Sequence, residues 1–459
     1  MHEIPDRVCI IGAGSSGIAA CKVLKEHGIP FDCYEAGEHV GGNWLYENVN
    51  GMSSAYKSLF ANTSKLRLQY SDYPMPDHYP VFPHHTQIAE YFNNYVEHFG
   101  VKKHIRFLTT VTHASPLERG GWEVTLHEGS RFRYRGLLVA NGHYWDPRWP
   151  EPPFPGHLTG KIIHSHSYKV PDDYVDKHVL VLGFGNSAMD IAVETSRVSA
   201  MTYLGVRRGF HVIPEYLIGK PLDQLPMPSL LPFALKIWLY RMVVRLQVGK
   251  MTDYGLPKPD YRVGEAHPTV SSDILMRITH GQVKVKPNIQ QLDGDGVIFT
   301  DGTRERIDSI IYCTGYNITF PFFDPDVIEA KQNELPLFKR VFHPHYRDLF
   351  FLGLLQPLGA ITPLVKLQSI WVSKYLLGQY TLPTLKEMLQ DMQRERSMMR
   401  KRYGNSPRHT MQVDAESYIA SVRKEMKRGM KHPSSPLIQY KRQAQGERYH
   451  FELPRGMEK

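Results

Sequence analysis

Cysteine is scarce in this chain: Cys9, Cys21, Cys33 and Cys313 are the only four among 459 residues. None of them forms a C-x-x-C pair, which argues against a zinc site, a redox-active dithiol and a disulfide framework. Proteins of oxidising compartments use cysteine more heavily. The scarcity therefore favours the reducing cytoplasm, and we predict a cytoplasmic location.

Long apolar runs are also lacking. No stretch reaches the roughly 20 residues of a membrane-spanning helix, and the mean hydropathy is -0.37. A strand-like run already begins at Val8, which leaves no room for a signal peptide. These absences favour a soluble protein, and its length favours two or three domains or one discontinuous pair.

Two classes of catalytic motif are missing as well. No G-x-S-x-G follows a strand, so we predict no hydrolytic serine. The chain has 23 histidines, but neither acids nor cysteines cluster with them at ligand spacing. We therefore predict that the protein holds no metal.

Positive charge is unevenly distributed. The formal net charge is +9, yet residues 391–459 hold 16 Lys+Arg and 8 Asp+Glu, a net +8 that leaves +1 for the rest of the chain. Because the excess belongs to a C-terminal tail, it does not indicate a nucleic-acid-binding body. We predict no nucleic-acid partner, and the role of the tail stays open.

What the sequence does contain is a glycine loop in a complete strand–loop–helix–strand context. The apolar run Val8–Ile11 leads into GAGSSG at residues 12–17, then a helix-like stretch at 18–25 and a second predicted strand, Phe31–Tyr34, which closes with Glu35. This context makes G-x-G-x-x-G informative, whereas an isolated glycine-rich turn would not be. The pattern predicts a dinucleotide-binding βαβ unit.

Each glycine of that loop pattern has a physical role. Gly12 allows a tight turn, Gly14 lets the backbone approach a pyrophosphate, and Gly17 lets the helix pack closely on the strand. The pyrophosphate is predicted at the helix N-terminus, where free N–H groups favour an anion. Glu35 follows at the spacing of an acid that accepts ribose hydroxyls, which suits FAD.

A second loop of the same kind follows. The apolar run 179–182 leads into GFGNSA at residues 183–188, where alanine replaces the third glycine. Arg207 and Arg208 stand where the first unit has its acid, and arginine can bind a 2′-phosphate. The second site therefore suits NADPH, although the two arginines can also be read as solvated surface charges.

Two dinucleotide units in one chain predict an α/β protein with two Rossmann-like domains and hydride transfer from nicotinamide to flavin. A disulfide reductase would need a redox cysteine pair, and an iron–sulfur partner domain would need its own thiolates. The chain offers neither. Dioxygen or a partner protein is left as the electron acceptor.

Further segments then follow in a specific order: residues 41–44 (GGNW), 56–63 (YKSLFANT), 139–142 (VANG), 158–168 (LTGKIIHSHSY), 313–316 (CTGY) and 353–357 (GLLQP). Together they resemble the flavin-containing monooxygenases. The motif of that family, F-x-G-x-x-x-H-x-x-x-Y/F, fits at Gly160, His164 and Tyr168, while Leu158 replaces the leading phenylalanine. Tyr168 disfavours the Baeyer–Villiger relatives, which usually carry tryptophan there.

The resemblance implies a domain plan in which an NADPH domain is inserted into an FAD domain. It gives residues 1–150 as the first part of the FAD domain, 151–314 as the NADPH domain with a partly helical insert at about 213–270, and 315–459 as the second FAD part with the basic tail. The prolines at 147, 150, 152, 153 and 155 mark the first boundary.

The resemblance also implies site residues. Asn62 is the predicted catalytic residue, since it matches the family asparagine beside the flavin and the nicotinamide. The predicted cofactor-binding residues are Gly12, Gly14, Ser16, Gly17, Glu35, Gly42, Asn43, Trp44, Asn62, Thr63, Val111, Gly183, Gly185, Asn186, Ser187, Ala188, Arg207, Arg208 and Gln356. From composition alone, Asn62 would be read as a turn residue.

The implied activity is an NADPH- and O2-dependent monooxygenase that oxygenates small nitrogen- or sulfur-containing nucleophiles through a C4a-hydroperoxyflavin, giving N- or S-oxides. Two alternatives stay open. One is Baeyer–Villiger oxygenation of ketones, and the other is an NADPH-dependent flavin reductase that passes electrons to a protein partner, with the basic tail docking on an acidic surface.

Residues 230–248 form an apolar segment whose only charges are Lys236, Arg241 and Arg245. We predict a helix there that covers a substrate tunnel or forms a subunit contact, such as that of a homodimer, because apolar residues nearly encircle it. A weak contact with a membrane surface is the alternative.

Overall fold

The computed structural model describes residues 2–3, 6–225, 233–265, 269–403, 411–433 and 436–437. The α-helices of this part of the chain are α1 (Ser15–Glu26), α2 (Lys65–Leu68), α3 (His85–His98), α4 (Asn186–Thr195), α5 (Phe233–Val248), α6 (Ile274–Thr279), α7 (Thr362–Leu376), α8 (Leu385–Tyr403) and α9 (Ala415–Gly429). None of the described helices is both long and apolar enough to cross a membrane.

The chain divides into two compact units. The first contains the described residues up to Ser53, residues 63–146 and those from Asn317 onward, and the second contains residues 54–62 and 147–316. The domain limits near 150 and 314, which assign parts of the chain to FAD and to NADPH, stay predictions. Residues 54–62 differ from that plan, because their contacts place them in the second unit although their neighbours along the chain lie in the first.

A five-stranded parallel sheet organises the first unit. Its strands in spatial order are Leu349–Phe351, Gly136–Val139, Val8–Ile11, Phe31–Tyr34 and Ile105–Arg106. Val8–Ile11 lies at the centre and all four residues are buried, as expected for a parallel strand covered on both faces. The loop that begins at Gly12 therefore lies at the carboxyl edge of the sheet, beside the ends of its neighbours.

A second sheet in the first unit is formed by His2–Glu3, Arg131–Tyr134, Trp122–Leu126 and Val111–Pro116. Its inner face packs on residues of the parallel sheet, among them Cys9, Val139 and Phe351, to form one hydrophobic core. In the same unit the short strands Gln356–Leu358 and Gln412–Asp414 pair in parallel.

The second unit repeats the parallel plan. Its five strands in spatial order are Lys161–His164, Ser309–Tyr312, His178–Leu182, Met201–Gly205 and Val283–Lys286. Val179 and Val181 face one hydrophobic core, whereas Leu180 and Leu182 face another. An apolar run without alternation is what a strand buried on both faces needs. The predicted α/β fold with two parallel dinucleotide-type sheets is confirmed.

Smaller pieces complete the second unit. An outer sheet contains Gly156–Leu158, Ile289–Gly294, Gly296–Phe299 and Arg304–Arg306. Val212–Ile213 pairs with Thr269–Val270, and Tyr216–Leu217 pairs with Lys220–Pro221. The predicted insert at about 213–270 contains α5 among its described residues, while 226–232 and 266–268 lie outside them.

Candidate functional site

The turn after the central strand of the first unit accepts only glycine at two positions. Gly12 has φ +97°, and a Cβ there would lie 2.7 Å from the carbonyl oxygen of Ala140. A Cβ on Gly17 would lie 1.9 Å from the carbonyl oxygen of Gly12. The two glycines therefore let α1 begin directly against the strand end, which brings its N-terminus to the carboxyl edge of the sheet.

Gly14 serves a different purpose, because the described residues leave the space beside it almost empty. It is the N-cap of α1 in extended backbone, with no side-chain cap. A Cβ there would have only the Cα of Gly42 within 4 Å, at 3.7 Å. Gly14 and Gly42 thus present bare backbone to one another, and the first-turn N–H groups of α1 are available to an anion. This cradle fits a pyrophosphate.

Glu35 lies at the end of the neighbouring strand and is buried. Its Oε2 accepts from the N–H of Ala13 at 2.6 Å, and its Oε1 accepts from the N–H of Gly37 at 2.7 Å. Burial raises the pKa of this carboxyl, while the two backbone donors act against the shift. Each carboxylate oxygen retains acceptor capacity, so Glu35 is held in place and can still accept a ribose hydroxyl.

The other predicted flavin-side residues lie around this turn. Asn43 and Trp44 belong to the 3-10 turn Gly42–Trp44. Val111 starts a strand two residues after Thr109, whose N–H donates to the carbonyl of Glu35 at 2.8 Å. The backbone at Gly353 approaches Ser16 so closely that a Cβ would lie 2.0 Å from its Oγ.

Gln356 lies three residues beyond Gly353, where its N–H donates to the carbonyl of Met411 at 2.8 Å. The loop after the central strand, Glu35 and the turn at Gly42 are therefore brought together within the first unit, and the segment at Gly353 joins them through Ser16. Gln356 is connected to this group through the chain.

The second glycine loop has the same geometry. Gly183 has φ +149°, and a Cβ there would lie 2.5 Å from the carbonyl oxygen of Cys313. Gly185 is the N-cap of α4 and has no side-chain cap. Asn186 fixes the first turn because its Oδ1 accepts from the N–H of Val270 at 2.9 Å. Ser187 and the fully buried Ala188 continue α4, and the alanine takes the place of the third glycine.

The two predicted arginines, Arg207 and Arg208, follow the next strand of that sheet. Arg207 is exposed. The guanidinium of Arg208 lies over the ring of Phe184, 5.4 Å from its centroid, and its buried Nε has no hydrogen-bond partner among the described residues. Both residues stand at the carboxyl edge, one strand away from the loop at Gly183, where a 2′-phosphate of a bound dinucleotide would lie.

Arg148 is a third arginine at this edge, and the sequence analysis missed it. Its Nε and Nη2 donate to the carbonyl of Thr314, at 3.3 and 3.1 Å. Burial, followed by the positive charge of Arg207, lowers its pKa. Within the described residues none of the three arginines forms an ion pair, so together they form a cationic site without a carboxylate. The signal in the sequence that could have indicated Arg148 was its position as a basic residue inside the proline-rich linker.

Asn62, the predicted catalytic residue, is the last residue of the segment that joins the second unit, and its side chain is exposed. Thr63 is the first residue of the chain's return to the first unit. Asn62 is therefore carried by the unit with the second glycine loop, whereas the turn at Gly12 belongs to the other unit.

His143 is a further residue that the sequence analysis did not select. It follows Asn141-Gly142 just beyond the carboxyl end of the strand Gly136–Val139. Its Nε2 is buried with no hydrogen-bond partner among the described residues. Burial lowers its pKa to about 4, so the ring is neutral at physiological pH.

Two residues of the family motif have structural contacts. The Nδ1 of His164 accepts from the N–H of His166 at 3.1 Å. Tyr168 is buried and its hydroxyl donates to Glu194 at 2.7 Å. The part of the chain that the structure describes contains no group of three or more His, Cys, Asp or Glu side chains arranged to hold a metal.

Known proteins are similar to this chain in sequence and in fold. A profile described as flavin-binding monooxygenase-like matches residues 5–439. Flavin-containing monooxygenase 5 of Rattus norvegicus is 39% identical over 431 residues, covering 89% of this chain and 80% of the rat protein. The N-oxide-forming dimethylaniline monooxygenase 2 of Oryctolagus cuniculus is 34% identical over 435 residues, covering 90% of this chain and 81% of the rabbit protein.

A solved structure has the same fold. The S-allyl-L-cysteine S-oxygenase from Allium sativum superposes with a TM-score of 0.70 at 24% identity, and the match covers 92% of this chain and 89% of the garlic protein.

Proposed function

We infer that this chain, which belongs to the flavin-binding monooxygenase-like family, oxygenates small molecules at a nucleophilic nitrogen or sulfur. It is an FAD-containing, NADPH-dependent monooxygenase whose co-substrate is dioxygen. NADPH supplies two electrons, one oxygen atom enters the product, and the other leaves as water. The rabbit relative is named for N-oxide formation and the garlic structure for S-oxygenation, which supports this substrate class.

The observation that carries the inference is the pair of uncapped helix N-termini, one after each glycine loop. FAD and NADPH, when bound, supply hydride transfer and dioxygen activation, chemistry that side chains cannot provide. The protein binds and orients the cofactors and the substrate, and it excludes water from them. We assign the N-terminus of α1 and Glu35 to FAD, and the N-terminus of α4 to the pyrophosphate of NADPH.

The substrate class is tested with amines, sulfides and ketones of similar size. Each compound is incubated with the FAD-loaded enzyme, NADPH and air, and the product formed per NADPH consumed is measured. We expect turnover close to one product per NADPH for amines or sulfides. Lactones or esters from ketones alone would assign Baeyer–Villiger chemistry, and NADPH oxidation that needs an added electron acceptor would assign a reductase.

The cationic site in the second unit makes a prediction about cofactor choice. Arg207→Ala is expected to raise the KM for NADPH about 10- to 100-fold, because a charge-assisted bond to phosphate contributes about 1.5–3 kcal/mol. The KM for NADH and the flavin content should not change. Arg148→Met should raise the KM for NADPH as well, since its guanidinium lies within electrostatic reach of Arg207.

Steady-state kinetics with both nicotinamides measures these effects. Arg304→Ala is the matched control, because Asp293 and Asp295 already neutralise that guanidinium. A wild-type enzyme that prefers NADH would contradict the assignment of the 2′-phosphate.

We further propose a cytoplasmic location and a weak contact with an anionic membrane surface through α5. The free state of the four cysteines supports the first part. For the second, Val244 and Val248 pack into the core, while an exposed apolar stripe faces solvent, consisting of Leu235, Trp238, Met242 and Leu246. Arg245 flanks the stripe and no acid occurs in α5. Like charges would repel in a two-fold contact, which disfavours a homodimer through this face.

Trp238→Glu combined with Leu246→Glu tests this contact by flotation with anionic vesicles. The double variant is expected to lower the partition coefficient at least about a hundredfold, because each of the two large apolar side chains contributes roughly 1.5–3 kcal/mol on burial. Met398→Glu, at an exposed methionine of α8, is the control. Absence of wild-type binding, together with dimer sedimentation that the double variant abolishes, would assign α5 to a subunit contact instead.

A further inference from the structure

The segment that carries Asn62 is fastened to the second unit at several points. The N–H of Lys57 donates to the carbonyl of Lys169 at 3.0 Å, and the Nζ of Lys169 donates back to the carbonyl of Ala55 at 2.9 Å. The N–H of Leu59 closes a turn onto the carbonyl of Tyr56 at 3.0 Å. The segment is thus a short, tied loop that ends at Asn62.

Tyr56 is the deepest of these attachments. Its ring is buried in the core of the second unit and lies 6.0 Å from the ring of Tyr168. Its hydroxyl donates to the Oδ2 of Asp190. A buried hydroxyl without an acceptor is costly, so this bond fixes both the depth and the direction of the side chain.

Asp190 is the acceptor in this bond and lies on the half-buried polar face of α4 with Glu194, whereas residues such as Met189 and Ala192 face the core. It lies four residues after Asn186, and residues four apart occupy the same face of a helix. Asn186 starts α4, where the NADPH pyrophosphate is assigned. Asp190 therefore connects the cofactor end of α4 to the tied segment over one helical turn.

The surroundings of Asp190 make it titrate near neutrality. Burial raises its pKa to about 7, and the bond from Tyr56 acts in the opposite direction. The other groups that face it are acids or neutral: Glu194 on α4, Glu215 after the strand Val212–Ile213, Asp273 before α6, and Cys313, whose pKa burial and the charge of Asp190 raise to about 12. The ionised fraction of Asp190 therefore increases as the pH rises through neutrality.

We propose that Asp190 is the positioning residue that ties Asn62 to the NADPH end of α4, by holding Tyr56 and with it residues 54–62. The catalytic part of this proposal rests on the proposed function and on the predicted catalytic role of Asn62. NADP+ at the α4 N-terminus should order the segment through Asp190 and Tyr56. A carboxylate accepts a stronger hydrogen bond than a neutral acid, so the tie tightens as Asp190 ionises.

Hydrogen exchange of the FAD-loaded protein tests the tie without catalysis. In wild type, NADP+ is expected to slow exchange at the amides of Lys57 and Leu59 about tenfold, and more at pH 8 than at pH 6 after correction for intrinsic rates. Tyr56→Phe removes the donor and should abolish the response. Asp190→Asn keeps an acceptor but cannot ionise, so its response should not change with pH. Tyr203→Phe removes a comparable bond to Glu305 and is the control.

The coupling of NADPH oxidation to product formation provides the second measurement. The fraction of NADPH converted to product should rise from pH 6 to pH 8 in wild type and stay flat in Asp190→Asn. Wild-type exchange and pH profiles in both Tyr56→Phe and Asp190→Asn would overturn the proposal. Asn62→Ala separates it from the proposed function: full coupling in that variant would contradict the role of Asn62 whatever the exchange data show.

Discussion

Gly12→Ala is expected to give a protein that has lost FAD and much of its stability. The new Cβ would lie 2.7 Å from a backbone carbonyl of the neighbouring strand at φ +97°. Left-handed backbone costs a non-glycine residue about 1–2 kcal/mol, and overpacking typically about 1–3 kcal/mol more. The sum is a large part of a typical stability of about 5–15 kcal/mol. Thermal unfolding and flavin absorbance per protein measure the two losses.

Gly129→Ala is the matched control, because Gly129 has φ +87° and nothing lies within 4 Å of a Cβ there. It carries the backbone cost without the overlap, so it should lose about 1–2 kcal/mol and keep its flavin. A Gly12→Ala protein that is yellow and as stable as Gly129→Ala would contradict this interpretation.

Gly14→Ala separates cofactor binding from folding. A Cβ at Gly14 meets only the Cα of Gly42 at 3.7 Å, so the unfolding temperature of the flavin-free protein should be close to that of wild type. The methyl group would occupy the space assigned to the pyrophosphate, and the affinity for FAD should fall. The effect at Gly12 is therefore expected from a clash with the backbone at Ala140, and the effect at Gly14 from the space assigned to the pyrophosphate.

Asn62→Ala is expected to keep both cofactors and to lose oxygenation. An amide can donate and accept at once, and a positioned hydrogen bond at a reacting centre contributes about 2.7–4 kcal/mol, or about 100- to 1000-fold in rate. Product per NADPH should fall while hydrogen peroxide rises. Asn62→Asp keeps the size but loses the N–H donor, so it should fail in the same way.

Asn94→Ala, at an exposed asparagine of α3, is the control for this change. Normal product yield per NADPH in Asn62→Ala would remove Asn62 from the reaction. A loss of flavin in Asn62→Ala would instead assign the residue to FAD binding.

The parts of the fold that local sequence determines were predictable. The strand Phe31–Tyr34 was predicted with its observed bounds, because it follows the glycine loop and helix at the spacing of a βαβ unit and ends at the acid Glu35. The helices begin earlier than predicted. A helix was expected after the last residue of each glycine loop, whereas α1 begins at Ser15 and α4 at Asn186, inside the loops, because the glycine turn is so tight that its last residues are already helical.

Contacts between distant residues could not be predicted from periodicity or spacing. Tyr56 and Asp190 are separated by 134 residues, and Arg148 and Thr314 by 166. Each pair depends on which segments become neighbours in the second unit, around its parallel sheet. The sequence therefore indicated the glycine loops and the acid Glu35, but it did not indicate the third arginine or the attachment of residues 54–62.

Oxygen labelling under an atmosphere of ¹⁸O2, with NADPH and an amine or sulfide that the enzyme turns over, examines the reaction itself. We predict one labelled oxygen atom in each product molecule, the other in water, and one NADPH oxidised for each product formed. An unlabelled product, or NADPH oxidation that yields only hydrogen peroxide with every amine and sulfide tried, would contradict the assignment of a monooxygenase.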